Sequence, residues 1–192
     1  SFNGVVGFKP TFGRISRYGV VPVSWSLDTV GSFTRTVEDA ALMLAAMAGH
    51  DNNDIASADN VVPDYVGGIA NGGKPPRIGL VNWFFLDTSG EQSKQATLGA
   101  VEKLGRAGAE IEEVAIDFDY EVLIAAHQTI MAVEAATVHR NDFEKQSDDY
   151  APFVRGVVER GFLVPATTYI EAQRTRRSFR REVGRASCRE RV

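Results

Sequence analysis

Apolar and polar positions divide the chain into short extended pieces, one dense apolar run and three longer periodic stretches. Phe2, Val5, Val6 and Phe8, set around Gly4 and Gly7, predict an extended stretch over residues 2–10. Pro10 should end it, because proline brings no N–H to a strand ladder. Two short strands are expected at 13–17 and 19–23, parted by turn residues. Residues 37–48 are almost all apolar and predict a helix. Thr36 stands at its N-cap, Asp39 takes a capping-box position, and Glu38 and Asp39 suit the positive helix start. Gly49 is a suitable stop. A helix apolar on every side is expected to lie inside something larger.

Residues 50–76 read as a polar connector rich in glycine and proline. A strand over 77–83, a helix over 91–107 stopped by Gly108, and a strand over 109–116 then form a βαβ pattern, which implies a parallel pair with a right-handed crossover. Val122, Ala126, Ile130 and Val133 recur at helical spacing and predict a helix over 120–145. A last helix is expected from Thr168-x-x-Glu171, a capping-box signature. Repeats and low-complexity segments are absent from the sequence.

Charge and cysteine usage narrow the class. The net charge is −4. Residues 174–192 hold eight arginines against Glu182 and Glu190, leaving residues 1–173 at −10. The acidic body argues against a nucleic-acid surface, and the arginine-rich end reads as a solvated helix end. Residues 184–192 lack apolar periodicity and resemble a foreign or artefactual tail. The single cysteine, Cys188, lies there. The body therefore offers no disulfide, thiolate metal site or cysteine nucleophile, which suits a reducing cytoplasm. No apolar run reaches the ~20 residues of a membrane span. The start, Ser1-Phe2-Asn3-Gly4, carries neither initiator Met nor signal-peptide pattern and reads as a cut.

Several candidate sites fail on context. Gly68 to Gly73-Lys74 has the glycine and lysine spacing of a phosphate-binding loop. Pro75 replaces the Ser or Thr that would hold magnesium, and no strand precedes the loop. His50, His127 and His139 stand in no metal-ligand spacing. There is no GxSxG elbow. Asp28 and Arg35, parted by Gly31, read as a buried ion pair fixing the return of the chain into the core; the alternative is that they support a site.

The stretch Phe2-Asn-Gly-Val-Val-Gly-Phe-Lys-Pro-Thr with Arg14-Ile-Ser-Arg-Tyr-Gly, then Ser26-Leu-Asp-Thr-Val-Gly and Arg35-Thr-Val-Glu-Asp-Ala-Ala, resembles the core that follows the signature of amidase-signature-family amide hydrolases. The family usually has proline where Ser32 stands. Weaker similarity runs through residues 77–116, Glu134-Ala-Ala, and Leu163-Val-Pro-Ala-Thr-Thr-Tyr-Ile-Glu-Ala-Gln-Arg. The resemblance covers residues 1–183.

It implies an α/β fold, part of the amidase-signature fold with a mixed sheet flanked by helices and truncated at the N-terminus. The segments would be a post-signature core (1–49), a connector (50–76), a βαβ unit (77–116) and a helical part (117–183). It also implies amide hydrolysis by a Ser–cis-Ser–Lys triad lying upstream of residue 1, so the chain alone should be inactive. Lys9 matches the Gly-Phe-Lys-Pro motif and not the catalytic lysine. Ser24, Trp25 and Ser26 are substrate-pocket candidates, and Asp28 and Arg35 candidates for structural support of the site. No cofactor or metal is expected, and the partner is a small amide. The alternatives are the glutaminase component of a tRNA-dependent amidotransferase, and a non-catalytic α/β binding or scaffold module.

Overall fold

The computed structural model describes residues 3–81 and 84–187. Phe2, Asn82, Trp83 and Cys188, which entered the sequence expectations, lie outside the described residues. Two compact units emerge, one made of the chain up to Gly73 with Glu134–Val158, the other of Lys74–Val133 with the chain from Glu159 onward.

The first unit opens with strand β1 (Val6–Phe8), which pairs antiparallel with β2 (Ser32–Thr34) in the register Val6 with Thr34 and Phe8 with Ser32. Gly31 is required for this approach, since a Cβ there would stand 2.3 Å from the Phe8 carbonyl oxygen. β1 stops short of Lys9-Pro10, as the missing proline N–H demands. The strands expected at 13–17 and 19–23 do not form. Turn bonds close the backbone there instead, Arg14 N–H to Thr11 O at 3.0 Å and Val20 N–H to Arg17 O at 3.0 Å, leaving one bridge between Ile15 and Ala48.

Helix α1 (Val37–Met47) begins where Thr36 caps it, the Thr36 Oγ1 accepting from Asp39 N–H at 3.1 Å. Ala40, Ala41 and Leu44 form its buried stripe. Val37, Leu42 and Met43 are about half exposed, so the run is covered on one face and not all round. The connector is more structured than its composition suggests. It returns to Gly13, whose carbonyl accepts from Ala58 N–H at 2.8 Å. Gly13 has φ 79°, and a Cβ there would meet Ala56 O at 2.4 Å. A short helix, α2 (Tyr65–Ala70), follows, capped by the Asp64 carboxylate on Gly67 N–H.

The second unit holds the βαβ pattern. β3 (Arg77–Leu80) and β4 (Glu110–Glu113) pair in parallel, joined through α3 (Glu91–Arg106). Among the described residues the strands thus fall into two two-stranded sheets, one antiparallel and one parallel. Phe84 stacks on the Tyr120 ring at 4.6 Å, and Phe179 meets the same ring edge-on at 5.8 Å.

Helix α4 (Tyr120–Gln146) runs slightly beyond its expected end. Helix α5 (Pro152–Leu163), with proline in its first turn where the missing N–H costs nothing, has no counterpart in the sequence expectations. Helix α6 (Ala166–Ser187) starts two residues before Thr168, so the Thr168–Glu171 box does not cap it. Pro165 sets its start, and the Pro165 carbonyl accepts from Tyr169 N–H at 3.2 Å. Ala135, Ala136 and Val158 form a buried cluster in the first unit, with Phe143 and Val157 packed against it.

Candidate functional site

Residues 22–28 of the first unit form a loop whose backbone is fixed from three sides. It turns on itself, with Leu27 and Asp28 N–H donating to Ser24 O at 3.0 and 2.8 Å. The Asp28 carboxylate then reaches back to accept from Val23 N–H at 2.8 Å and Ser24 N–H at 2.9 Å. The third anchor is Glu134 on α4. Its Oε2 accepts from Ser24 Oγ at 2.5 Å and from Ser26 N–H at 3.0 Å, while Oε1 accepts from Ser26 Oγ at 2.7 Å. Ser24 is 2% exposed and Glu134 6%. A carboxylate so buried is tolerable because donors converge on both oxygens, and charge-assisted bonds of this length are the strong kind.

Beside the loop, Arg17 ties the chain to the connector. Its guanidinium donates to the Trp25 carbonyl. It also meets Asp54 through Nη2–Oδ1 at 3.3 Å and Nε–Oδ2 at 3.4 Å, and its backbone N–H donates to Asp54 Oδ2 at 2.9 Å. The Arg17 side-chain bond, followed by its backbone N–H, holds the Asp54 carboxyl down to about 2. Asp51 is lowered as well, first by the Ser16 hydroxyl, which donates to Oδ2 at 2.6 Å, and then by Asn53 N–H. The Arg17 guanidinium lies over the Phe12 ring, 4.7 Å from its centroid, a cation–π contact.

These anchors frame an open groove of about 680 Å³, with Tyr18, Val20, Pro22, Trp25 and Ile55 on its lining. Of the three substrate-pocket candidates, Trp25 lines this groove, 52% exposed. The Ser24 and Ser26 hydroxyls point to Glu134 instead. Asp28 supports the loop. Arg35 is exposed, and no Asp28–Arg35 ion pair forms among the described residues, a correction to the sequence expectation. The Asp28 carboxylate is taken up by the loop's own N–H groups, which a backbone turn brings closer than any side chain seven residues on.

The rejected motifs keep structural roles. Lys9 Nζ donates to the neighbouring Pro10 carbonyl at 2.9 Å. His50 Nε2 is bonded with Asn52 Oδ1 at 3.0 Å, and His139 Nδ1 with the Tyr150 hydroxyl at 3.1 Å. Gly68 lies inside α2, so the phosphate-loop spacing begins within a helix. Among the described residues no group of three or more His, Cys, Asp or Glu is placed to hold a metal ion, and no helix is long and apolar enough to cross a membrane.

Sequence reasoning missed the part played by Glu134 and by the Arg17–Asp54 pair. The Glu134-Ala-Ala motif was visible, but nothing in its spacing points to a serine loop more than a hundred residues away.

Comparison with known proteins gives concordant matches. A family model described as Amidase matches residues 1–188. An amidase of Pseudomonas putida is 41% identical over 184 residues, covering 95% of this chain and 39% of that protein. The A-type subunit of the glutamyl-tRNA(Gln) amidotransferase of Levilactobacillus brevis is 40% identical over 139 residues, covering 71% of this chain and 28% of that protein. A solved structure from a vestigial protein complex, described as revealing the evolutionary origins of an s-triazine catabolic enzyme, superposes with a TM-score of 0.83. It is 34% identical and is matched over 94% of this chain and 38% of its own length. The chain thus spans well under half the length of the relatives it matches.

Proposed function

Because the chain belongs to the amidase family, we propose that it is the supporting part of an amide hydrolase, with bond cleavage performed by residues outside these 192. The observation that carries this reading is the 41% identity to the Pseudomonas putida amidase, sustained over 184 residues. The reaction would add water across a carboxylic amide, giving the acid and ammonia or an amine.

The resemblance implies a serine nucleophile, a relay serine and a lysine neutralised by burial. In such a triad the lysine takes the proton that the relay serine passes on, the nucleophile's oxygen adds to the carbonyl carbon, and the leaving nitrogen departs protonated. Water then releases the acid from the acyl-enzyme. No residue of this chain matches a member of the triad. Ser24 and Ser26 do not stand in for it, because both hydroxyls donate to a buried carboxylate.

The contribution of this chain is rigidity. Hydrolysis needs the substrate held in near-attack geometry, and a misplacement of about 1 Å can cost on the order of a hundredfold in rate. The Glu134, Asp28 and Arg17 anchors give the 22–28 loop one conformation from which Trp25 can meet a substrate. A stand-alone amidase is favoured over an amidotransferase component, since the amidase match covers 95% of this chain and the Levilactobacillus brevis match 71%. A small amide as substrate and a cytoplasmic location complete the reading, the latter supported by the single cysteine lying at position 188.

The test is a chimera in which residues 1–183 replace the matched segment of the Pseudomonas putida amidase. Ammonia release from a simple amide is expected. A chimera that folds, by circular dichroism and a cooperative melt, yet releases no ammonia from aliphatic amides, aryl amides or glutamine would count against the proposal.

A further inference from the structure

We propose that Arg17 is a latch that makes the 22–28 loop and residues 51–58 of the connector open and close as one element, so that loosening either loosens the other.

Three observations carry it. First, one guanidinium is divided between the two segments. Its Nη1 donates to the Trp25 carbonyl, while Nε and Nη2 donate to Asp54 at 3.4 and 3.3 Å. The group is planar and rigid, so its donors cannot be aimed one at a time. The Arg17 side chain is 13% exposed and that of Asp54 6%. Were residues 51–58 to lift and take Asp54 with them, a largely buried cation would lose its counter-charge, which is costly. The guanidinium turns to water instead, and in doing so it lets go of the Trp25 carbonyl.

Second, Asp54 holds its own segment together as well as the latch. Its Oδ1 accepts from Ala56 N–H at 2.9 Å and its carbonyl from Ser57 N–H at 2.8 Å. Its Oδ2 accepts from the Arg17 backbone N–H at 2.9 Å. The carboxylate therefore cannot leave Arg17 without the turn around it giving way.

Third, the element has an end. Residues 60–65 are held by a different arginine. Arg14 donates through Nη1 to the Asn60 carbonyl at 3.0 Å, through Nη2 to the Val61 carbonyl at 2.9 Å and through Nε to the Tyr65 hydroxyl at 2.6 Å. These bonds run to the start of α2 and leave the 22–28 loop aside. Proteins open in cooperative pieces whose limits follow such bonding, so α2 should stay closed when the latch releases.

Hydrogen exchange of the 192-residue chain, read amide by amide by NMR, tests the latch. Leu27 N–H, bonded to the Ser24 carbonyl, reports the loop. Ser57 N–H reports the connector segment, and Gly68 N–H, bonded to the Asp64 carbonyl, reports α2. Asp54→Asn should speed exchange at both Ser57 and Leu27 by about tenfold and leave Gly68 unchanged. Coupling of this kind acts in both directions. Glu134→Gln, which loosens the loop from its α4 side, should therefore speed Ser57 as well. With Arg17→Met in place, Asp54→Asn should no longer alter Leu27.

An unchanged Leu27 in Asp54→Asn, or an unchanged Ser57 in Glu134→Gln, would overturn the proposal. So would equal acceleration at Gly68, which would report loosening of the whole unit. If Arg17→Met does not fold, the two single variants still decide the matter.

Discussion

The hydroxyl of Ser24 lies 2.5 Å from the carboxylate of Glu134, across 110 residues of sequence, and both side chains are buried. With the bonds from Ser26, this places one α4 carboxylate at the centre of three donors from a single loop. The arrangement couples a loop next to the family's signature core to a helix far along the chain. It also explains why two serines stand on either side of Trp25: one side chain is held out by two that are held in.

Removing Glu134 should therefore release the loop. Glu134→Ala leaves the buried Ser24 hydroxyl and the Ser26 donors without that carboxylate and is expected to cost about 3 kcal/mol, with Glu134→Gln costing less. Urea unfolding followed by Trp25 fluorescence in a Trp83→Phe background measures both. A Ser24→Ala, Glu134→Gln double-mutant cycle should show coupling of about 1 kcal/mol or more. Additive effects would mean that the bond contributes nothing.

Acid should loosen the same unit through Asp54. Its folded-state value, about 2, lies below the ordinary 3.8, chiefly because of the Arg17 side-chain bond. A depressed carboxyl stabilises the fold above its unfolded value, and that contribution is lost as pH falls from about 4 through about 2. Unfolding midpoints taken across this window should fall steeply for the parent chain and less steeply for Asp54→Asn. Parallel curves would show that the pair is not linked to folding.

Local chemistry was the part of the fold that the sequence made legible. Period-3.6 spacing at Val122, Ala126, Ile130 and Val133 anticipated α4, and the strand–helix–strand order with a Gly108 stop anticipated the α3–β4 passage. Thr36 identified its own helix start because the cap bond spans three residues. The candidate site was legible only as a neighbourhood. Ser24, Trp25 and Ser26 drew attention together, yet their division into two clamped hydroxyls and one exposed ring depends on Glu134, which no local rule connects to them. The expected Asp28–Arg35 pair failed for a related reason, since a carboxylate beside backbone N–H groups is satisfied by the turn before a distant guanidinium can reach it.

Ser32 leaves a correctable defect. Its hydroxyl is buried without a hydrogen-bond partner at the first residue of β2, where the family usually carries proline. Ser32→Ala removes the unsatisfied group and is expected to stabilise the chain by about 1 kcal/mol in a denaturant melt. A destabilisation of that size would mean that the hydroxyl has a partner in solution.

The α1 cap gives a calibration of the helix start. Thr36→Ala should cost about 1 kcal/mol, with Thr36→Ser recovering most of it. No change in thermal midpoint for the alanine variant would show that the cap bond on Asp39 N–H does not contribute to stability.

The proposal at stake is that this chain supports amide hydrolysis whose chemistry is done by residues outside these 192. Steady-state ammonia release tests it most directly, compared among the purified 192-residue chain, the Pseudomonas putida chimera carrying residues 1–183, and the same chimera with the serine that the family resemblance implies as nucleophile replaced by alanine. The expected result is turnover by the chimera and none by the other two. Turnover by the isolated chain, or by the chimera that lacks the serine, would contradict the account.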